Sequence, residues 1–379
     1  VGFMIGAGGC ALVASVLGQG DRPRANRYFS MAVEFTVIIG VILGIVGVVL
    51  TRPIAVLLGS TPEMMPDSLA YGRILMAFVP FWMLQFLFQA FFPAAEKPKL
   101  GFVFGLVAGV MNMMLDALFV AVFQWGITGA ALATGISQVV GAMGPMIYFL
   151  KKNNSLLSLR PTKLEFRPIL KSCTNGISEF VANVSLSIIG MIFNLRLLEY
   201  AGADGVLAYG IFTYVQFFFV ALFMGYDIGA SPIIAYNYGA KNLKELKSVL
   251  RKSIILIIIV GLAMVAIGFT LARPLSTVFV GYDRDVLEMT THVITLCAPT
   301  FLLAGICRFS ASFFVALGDG LTSAILSFLR MFGFQMILIL IMPPLFGIEG
   351  IWWSVILSEF FSTIVAVVFL LVKRKRYGY

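Results

Sequence analysis

The sequence predicts an all-α membrane protein that crosses the bilayer many times. Of its 379 residues, 60% are hydrophobic and only 12% are charged, whereas about 25% of the residues of a soluble domain are charged. Apolar stretches of about 20 residues, the length needed to span a bilayer, recur along the whole chain. Short turns that contain basic residues, glycine or proline separate these stretches. We therefore predict a bundle of transmembrane helices.

Eleven apolar stretches are predicted to form these helices. In chain order they are Val1–Gly20, Tyr28–Leu50, Leu69–Phe92, Leu100–Phe123, Thr128–Leu150, Lys171–Tyr200, Val206–Ala235, Lys252–Leu271, Met289–Leu317, Thr322–Met342 and Ile348–Val372. Two longer connections, residues 51–68 and 273–288, are predicted to be outer loops. Pro80 and Pro299 lie inside two of the stretches, where proline commonly kinks a helix.

The net charge of +9 is distributed in a way that indicates membrane topology and excludes a nucleic-acid partner. Twenty of the 27 Lys and Arg residues lie in five segments on alternate turns of the apolar pattern, namely residues 22–27, 97–99, 151–171, 241–252 and 373–376. Basic residues concentrate in the cytoplasmic turns of membrane proteins. All five segments are therefore predicted to face the cytoplasm.

No enzyme, cofactor or resident metal is predicted from the motifs. The four cysteines have no metal-ligand spacing, and there is a single histidine. The chain has no Walker A motif, no arrangement typical of a catalytic triad and no basic aromatic platform for nucleic acid. We therefore expect no hydrolysis of ATP by this chain, which leaves transport driven by an ion gradient.

The chain repeats with a register of 221 residues. Pro53 matches Pro274 and Gly126 matches Gly347, which predicts a first lobe at 1–160 and a second lobe at 161–379. The second lobe has six predicted helices and the first has five. We therefore expect one further helix before Val1, supplied by about 50 more residues, and an open groove beside residues 100–150 where that helix would pack. Parallel repeats of this kind place their sites near the midplane between lobes.

Three polar side chains inside the hairpin of residues 100–148 form the first candidate site. Asn112 and Asp116 are one helical turn apart, and Thr134 lies on the following helix. The repeat does not duplicate any of them, so the symmetry of the scaffold does not explain them. A carboxylate inside the apolar layer costs roughly 2.5 kcal/mol or more and is a functional candidate by default. The alternative is an aspartate that serves packing alone.

Polar and charged residues of the second lobe form a further set of candidates. Asn175, Glu179 and Asn183 share one face of a helix, where they either line a substrate cavity or join helices by hydrogen bonds. Asp227 has an equally plausible structural role as an interfacial or paired carboxylate. Arg308 and Arg330 require carboxylate partners such as Asp227 or Glu359, but the sequence does not assign the pairs.

Four motifs resemble those of the multidrug and toxic compound extrusion family, in its prokaryotic DinF-like branch. They are LGQGD at 17–21, NMMLD at 112–116, GITGAALAT at 126–134 and PIIAYNYGAKN at 232–242. The resemblance implies 12 helices in two six-helix lobes around a V-shaped cavity. It also implies a cation site at Asn112, Asp116 and Thr134, completed by an aspartate on the first helix, and a functional role for Glu179. Between Thr290 and Leu317 the family's tenth-helix aspartate has no counterpart, which argues against a Na⁺ site in the second lobe.

The resemblance implies an antiporter that exports amphipathic, often cationic compounds in exchange for H⁺ or Na⁺. The coupling ion would be carried by Asp116, and no metal is expected apart from a Na⁺ held there. The expected partners are small-molecule substrates and the lipid bilayer of a prokaryotic plasma membrane, and the expected state is a monomer. A lipid-linked oligosaccharide flippase of the same superfamily is one alternative. A channel or receptor without coupled transport is another.

Overall fold

The computed structural model describes residues 1–379, and almost all of them are helical. Apolar runs bounded by turn residues form the helices, as expected where the backbone must satisfy its own hydrogen bonds in lipid. The helices are α1 (Gly2–Gly18), α2 (Arg22–Val49), α3 (Thr51–Leu57), α4 (Met65–Ala94), α5 (Pro98–Asp116), α6 (Gly126–Leu150), α7 (Phe166–Gly239), α8 (Leu243–Val280), α9 (Arg284–Cys297), α10 (Thr300–Ala316), α11 (Gly320–Phe328), α12 (Gln335–Phe346) and α13 (Ile348–Tyr377).

This architecture confirms the predicted all-α, multi-span fold class, with more helical segments than the eleven predicted. Part of the predicted outer loop is the short helix α3. The span around Pro299 is broken into α9 and α10, which are bent by 49°. In α7, Gly202 adopts φ +62° and divides the helix into arms at 166–201 and 203–239. Glycine suits this position because positive φ is costly for residues with a Cβ atom.

The helices cluster into two compact units, Val1–Gly176 and Ile177–Tyr379. Along the chain, these units meet after Gly176, within the first arm of α7, and the lobes at 1–160 and 161–379 stay a prediction from the sequence. The first turns of α7 cluster with the first unit because they pack against α1. A Cβ atom on Gly8 would lie 2.5 Å from the backbone nitrogen of Gly176. Only glycine permits this approach of two helix backbones, as in other packed membrane helices.

The core of the first unit is a cluster of phenylalanines from three helices. Phe29 of α2, Phe88 and Phe91 of α4 and Phe149 of α6 are fully buried, with the rings of Phe29 and Phe149 5.0 Å apart in an edge-to-face arrangement. In the second unit, α10 packs against both α8 and α13. These cores hold the polar side chains of each unit in place.

Equivalent positions of the two units have the same local geometry. Gly126 and Gly347, which match in the 221-residue register, both begin a helix with positive φ, at +55° and +60°. Asp21 and Asn242 also match, and each accepts a hydrogen bond from a backbone N–H in the first turn of the helix that it caps. The repeat in the sequence is therefore a repeat of helix starts and turns.

Candidate functional site

The hairpin of α5 and α6 contains the first candidate site. Asp116 is the last residue of α5, and the chain then continues through a π-helical turn, Ala117–Val122. Such turns are rare and occur frequently at functional sites, because they break the regular backbone ladder. Six π-helical residues and a short non-helical turn separate Asp116 from Gly126. The depth of the Asp116 carboxylate in the apolar layer stays a prediction from the sequence.

The three predicted site residues lie on two helices that pack together, and no hydrogen bond joins one of these side chains to another. Asn112, Asp116 and Thr134 are each half-buried, and α5 packs along α6. The side-chain nitrogen of Asn112 is inaccessible and has no hydrogen-bond partner. Thr134 accepts a 2.8 Å hydrogen bond from Ser137 through its backbone oxygen, which leaves its hydroxyl uncommitted. The hairpin thus offers polar groups that the protein itself does not satisfy.

The polar face of α7 differs in burial along its length. Asn175 is buried and Glu179 is half-buried, whereas Asn183 is exposed. The amide of Asn183 donates to the backbone oxygen of Glu179 at 2.7 Å, within the same helix. The Glu179 carboxylate takes no part in this bond and forms no ion pair, so Glu179 remains the strongest candidate of this face.

Two buried ion pairs of the second unit join Arg308 and Arg330 to carboxylates that the sequence could not assign. Arg330 lies in a second π-helical turn, Leu329–Phe334, and binds Glu359 through three hydrogen bonds of 2.8 to 3.1 Å. Nε of Arg308 lies 3.2 Å from Oδ2 of Asp227. That contact does not have hydrogen-bond geometry, and both oxygens of Asp227 lack a hydrogen bond. Both arginines are thus neutralised by a carboxylate, but only the carboxylate of Glu359 also accepts hydrogen bonds.

The intramembrane carboxylates therefore fall into two classes. Asp227 and Glu359 have arginine partners, so their charges are compensated inside the second unit. Asp116 and Glu179 form no ion pair in the structure. A buried carboxylate without a counter-charge gains most from a proton, a metal cation or a cationic ligand. The unpaired carboxylates are consequently the ones suited to ion or substrate binding.

Comparison with known proteins identifies the family. The sequence profile of the MatE family matches residues 1–118 and 180–341, which is more than half of the chain. The chain belongs to the MATE family of transporters. The multidrug export protein MepA of Staphylococcus saprophyticus is 30% identical over 382 residues, covering 99% of this chain and 83% of MepA. MepA of Staphylococcus aureus strain MSSA476 is also 30% identical, with the same coverage of both chains.

Solved structures of MATE transporters have the same fold. An outward-facing multidrug resistance MATE transporter of the MOP superfamily aligns with a TM-score of 0.92 at 19% identity, covering 100% of this chain and 84% of that one. A point mutant of the Vibrio cholerae MATE transporter VcmN aligns with a TM-score of 0.88 at 19% identity, covering 100% of this chain and 86% of that one. The profile match and the MepA relatives confirm the family resemblance inferred from the sequence motifs, and the shared fold is that of a multi-span membrane protein.

One polar cluster of this MATE protein was missed in the sequence. Asp319 caps α11 and accepts hydrogen bonds from Thr322, Lys373 and Tyr377 at 2.7 to 2.9 Å. Partial burial acts to raise the pKa of Asp319, but hydrogen bonds from Tyr377, Thr322 and Lys373 outweigh it and lower the pKa to about 2. The triplet Gly318-Asp319-Gly320 is a helix-start signal that could have indicated the cap. The partners on α13 are too distant in sequence to predict.

Proposed function

We propose that this MATE protein is a drug efflux transporter that exports amphipathic, often cationic compounds in exchange for H⁺ or Na⁺. Asp116 carries the coupling ion, and Asn112 and Thr134 supply neutral ligands beside it. Glu179, with Asn175 and Asn183, contributes to substrate binding. The relatives named as multidrug export proteins come from bacteria, which supports placement in a prokaryotic plasma membrane. We propose a monomer as the working unit.

The lack of a counter-charge at Asp116 is the observation that carries this proposal. The two buried arginines of the second unit, Arg308 and Arg330, each have a carboxylate partner, whereas Asp116 forms no ion pair. Its charge costs roughly 2.5 kcal/mol or more in the apolar layer, so binding a proton or Na⁺ removes a substantial penalty. The free hydroxyl of Thr134 and the unsatisfied amide of Asn112 are polar groups on the same hairpin.

Coupling follows if the ion and the substrate bind different conformations with different affinity. An ion shifts the balance between outward-facing and inward-facing states only by its differential affinity for them. Binding of the ion at Asp116 then favours one state and release of the substrate, and by linkage the substrate favours release of the ion. The adjacent π-helical turn, Ala117–Val122, is the element of the hairpin best suited to change with the state of Asp116.

Transport in proteoliposomes tests the proposal. Efflux of a fluorescent organic cation is measured under a pH gradient and under a Na⁺ gradient imposed separately, for the wild type, Asp116→Asn and Asp204→Asn. Asp204 is an exposed aspartate beside the break at Gly202 and serves as the control. We expect one gradient to drive efflux, Asp116→Asn to slow it at least tenfold, and Asp204→Asn to transport normally. Wild-type rates in Asp116→Asn would show that Asp116 is structural.

A lipid-linked oligosaccharide flippase is the alternative within the superfamily, and the ion pairs argue against it. Such a protein needs several free cationic side chains to bind phosphate in its cavity. Arg196 pairs with Glu199 at 2.7 Å, and Arg308 and Arg330 pair with Asp227 and Glu359. Each of these three arginines is therefore neutralised by a carboxylate. For a channel or an uncoupled receptor, the same proteoliposomes would show no efflux against a substrate gradient.

A further inference from the structure

A basic cleft lies at one end of the first unit. It has a volume of about 920 Å³ and is lined by the turn between α4 and α5 and by the end of α6, including Lys97, Lys99, Lys151 and Lys152. One carboxylate, Glu96, also lines it, so the net charge of the basic cleft is +3. None of the four lysines forms an ion pair. Uncompensated positive charge in a concave site favours an anionic ligand.

The start of α5 adds to the positive potential of the basic cleft. Lys97 is the N-cap residue of α5, and no side chain accepts a hydrogen bond from the first turn of this helix. The N-terminal end of a helix carries a partial positive charge that favours anions such as phosphate. Lysine ammonium groups and a helix start converge on the same space, which is large enough for a phosphate-bearing headgroup.

The basic cleft continues into an apolar face of α5. Leu100 and Val103 are among the residues that line it. Val103, Leu106 and Val110 follow one another at helical spacing, with 47%, 52% and 46% of their surfaces exposed. Only 6% of the most apolar window of this span is buried. A ligand with an anionic head and an apolar chain would contact the lysines and this face together.

We propose that the basic cleft binds the phosphate headgroup of an anionic phospholipid, with one acyl chain along Val103, Leu106 and Val110. The charge selects an anion, and the continuity with a membrane-facing helix selects a lipid over a soluble phosphate. Basic pockets between transmembrane helices bind such headgroups in other membrane proteins. Each lysine near an anionic lipid strengthens binding about fivefold.

Native mass spectrometry of the full chain in detergent tests the proposal, with dioleoyl-phosphatidylglycerol and dioleoyl-phosphatidylcholine as probes. One variant replaces Lys97, Lys99, Lys151 and Lys152 by glutamine. The control variant replaces the same number of exposed basic residues at the start of α8, Lys244, Lys247, Arg251 and Lys252. We expect the cleft variant to bind phosphatidylglycerol at least tenfold more weakly, the control to change by less than twofold, and phosphatidylcholine binding to be unaffected.

Two further measurements separate a lipid from other anions. Val103→Asn should weaken phosphatidylglycerol binding about threefold without removing any charge, and inorganic phosphate at millimolar concentration should not displace the lipid. Equal losses in the cleft and control variants would reduce the effect to general electrostatic attraction and overturn the proposal. Unchanged binding by the cleft variant would overturn it as well. Displacement by inorganic phosphate would overturn the lipid proposal and indicate a site for simple anions.

Discussion

At the residue scale, the two buried arginines of the second unit, Arg308 and Arg330, differ in the hydrogen bonds that their partners accept. Glu359 accepts three from Arg330, whereas Asp227 accepts none from Arg308 despite a distance of 3.2 Å. Both pairs are largely buried. Removing one member of a buried pair leaves an uncompensated charge, and the loss is larger where more hydrogen bonds disappear.

We expect Arg330→Met to destabilise the protein by about 3 kcal/mol or more, and Arg308→Met to destabilise it less. Replacing Glu359 by leucine in the Arg330→Met background should recover part of the loss, because no buried charge then remains. Apparent melting temperatures of the purified variants in detergent measure both effects. A larger loss for Arg308→Met than for Arg330→Met would contradict this ranking of the two pairs.

The Asp319 cluster makes a residue-scale prediction about pH. The pKa of Asp319 in the folded chain, about 2, lies below its ordinary value of 3.8. A carboxylate with a lowered folded pKa contributes stability above its unfolded pKa and loses it as the pH falls through the folded value. The stabilising effect of this cluster should therefore be complete at pH 7 and disappear between about pH 4 and pH 2.

The matched variants for this prediction are Asp319→Asn and Asp283→Asn. Both residues cap a helix, but only Asp319 pairs with a lysine, Lys373. Asparagine is a good N-cap, so Asp283→Asn should be nearly neutral. Asp319→Asn should cost about 1 to 2 kcal/mol at pH 7 through its weaker bonds to Lys373 and Tyr377. Thermal unfolding measures the loss of stability of Asp319→Asn relative to the wild type. An equal loss at pH 3 and at pH 7 would show that the carboxylate charge does not stabilise the cluster.

At the scale of elements, close packing of α1 against the start of α7 sets the limit of the first unit. A Cβ atom on Gly8 would overlap the backbone oxygen of Ser172, and helix backbones cannot shift cheaply. At Gly9, the nearest atom to a Cβ would be a ring carbon of Phe91 at 3.5 Å, an ordinary contact. The two neighbouring glycines therefore differ sharply in what they tolerate.

We expect Gly8→Ala to destabilise the protein by about 1 to 3 kcal/mol, as overpacking does, and Gly9→Ala to be tolerated. Both variants add a methyl group to α1 and change its helix propensity equally, so a difference between them reports the packing at the two positions. Thermal unfolding followed by fluorescence or by circular dichroism measures the difference. Equal stability of the two variants would mean that Gly8 does not contact the backbone of α7 closely enough to exclude a methyl group.

Local signals account for the elements that could be predicted from the sequence. Apolar length identified the spans, and the matched glycines at 126 and 347 identified the same turn in both units. The break at Gly202 lies in the predicted turn between the stretches Lys171–Tyr200 and Val206–Ala235. The helix α3 was assigned to a loop because seven residues are too few to show periodicity.

At the scale of the whole molecule, the distribution of charge could be predicted but the pairing of charges could not. The basic segments lie in turns, so their positions follow from hydropathy alone. The pairs Arg308–Asp227 and Arg330–Glu359 join residues on different helices, and helix packing is not encoded at any fixed sequence spacing. The same reason explains why the sequence identified Asp116 as a candidate but could not show that it lacks a counter-charge.

If Asp116 binds the coupling ion, binding of the substrate should release that ion from the protein. Release of H⁺ or Na⁺ on addition of an organic cation to the purified protein, in weakly buffered detergent solution, measures this linkage directly. We expect release from the wild type and from Asp204→Asn, and less than about one tenth of that release from Asp116→Asn at a matched level of bound substrate. Release from Asp116→Asn equal to that of the wild type would show that Asp116 does not bind the coupling ion.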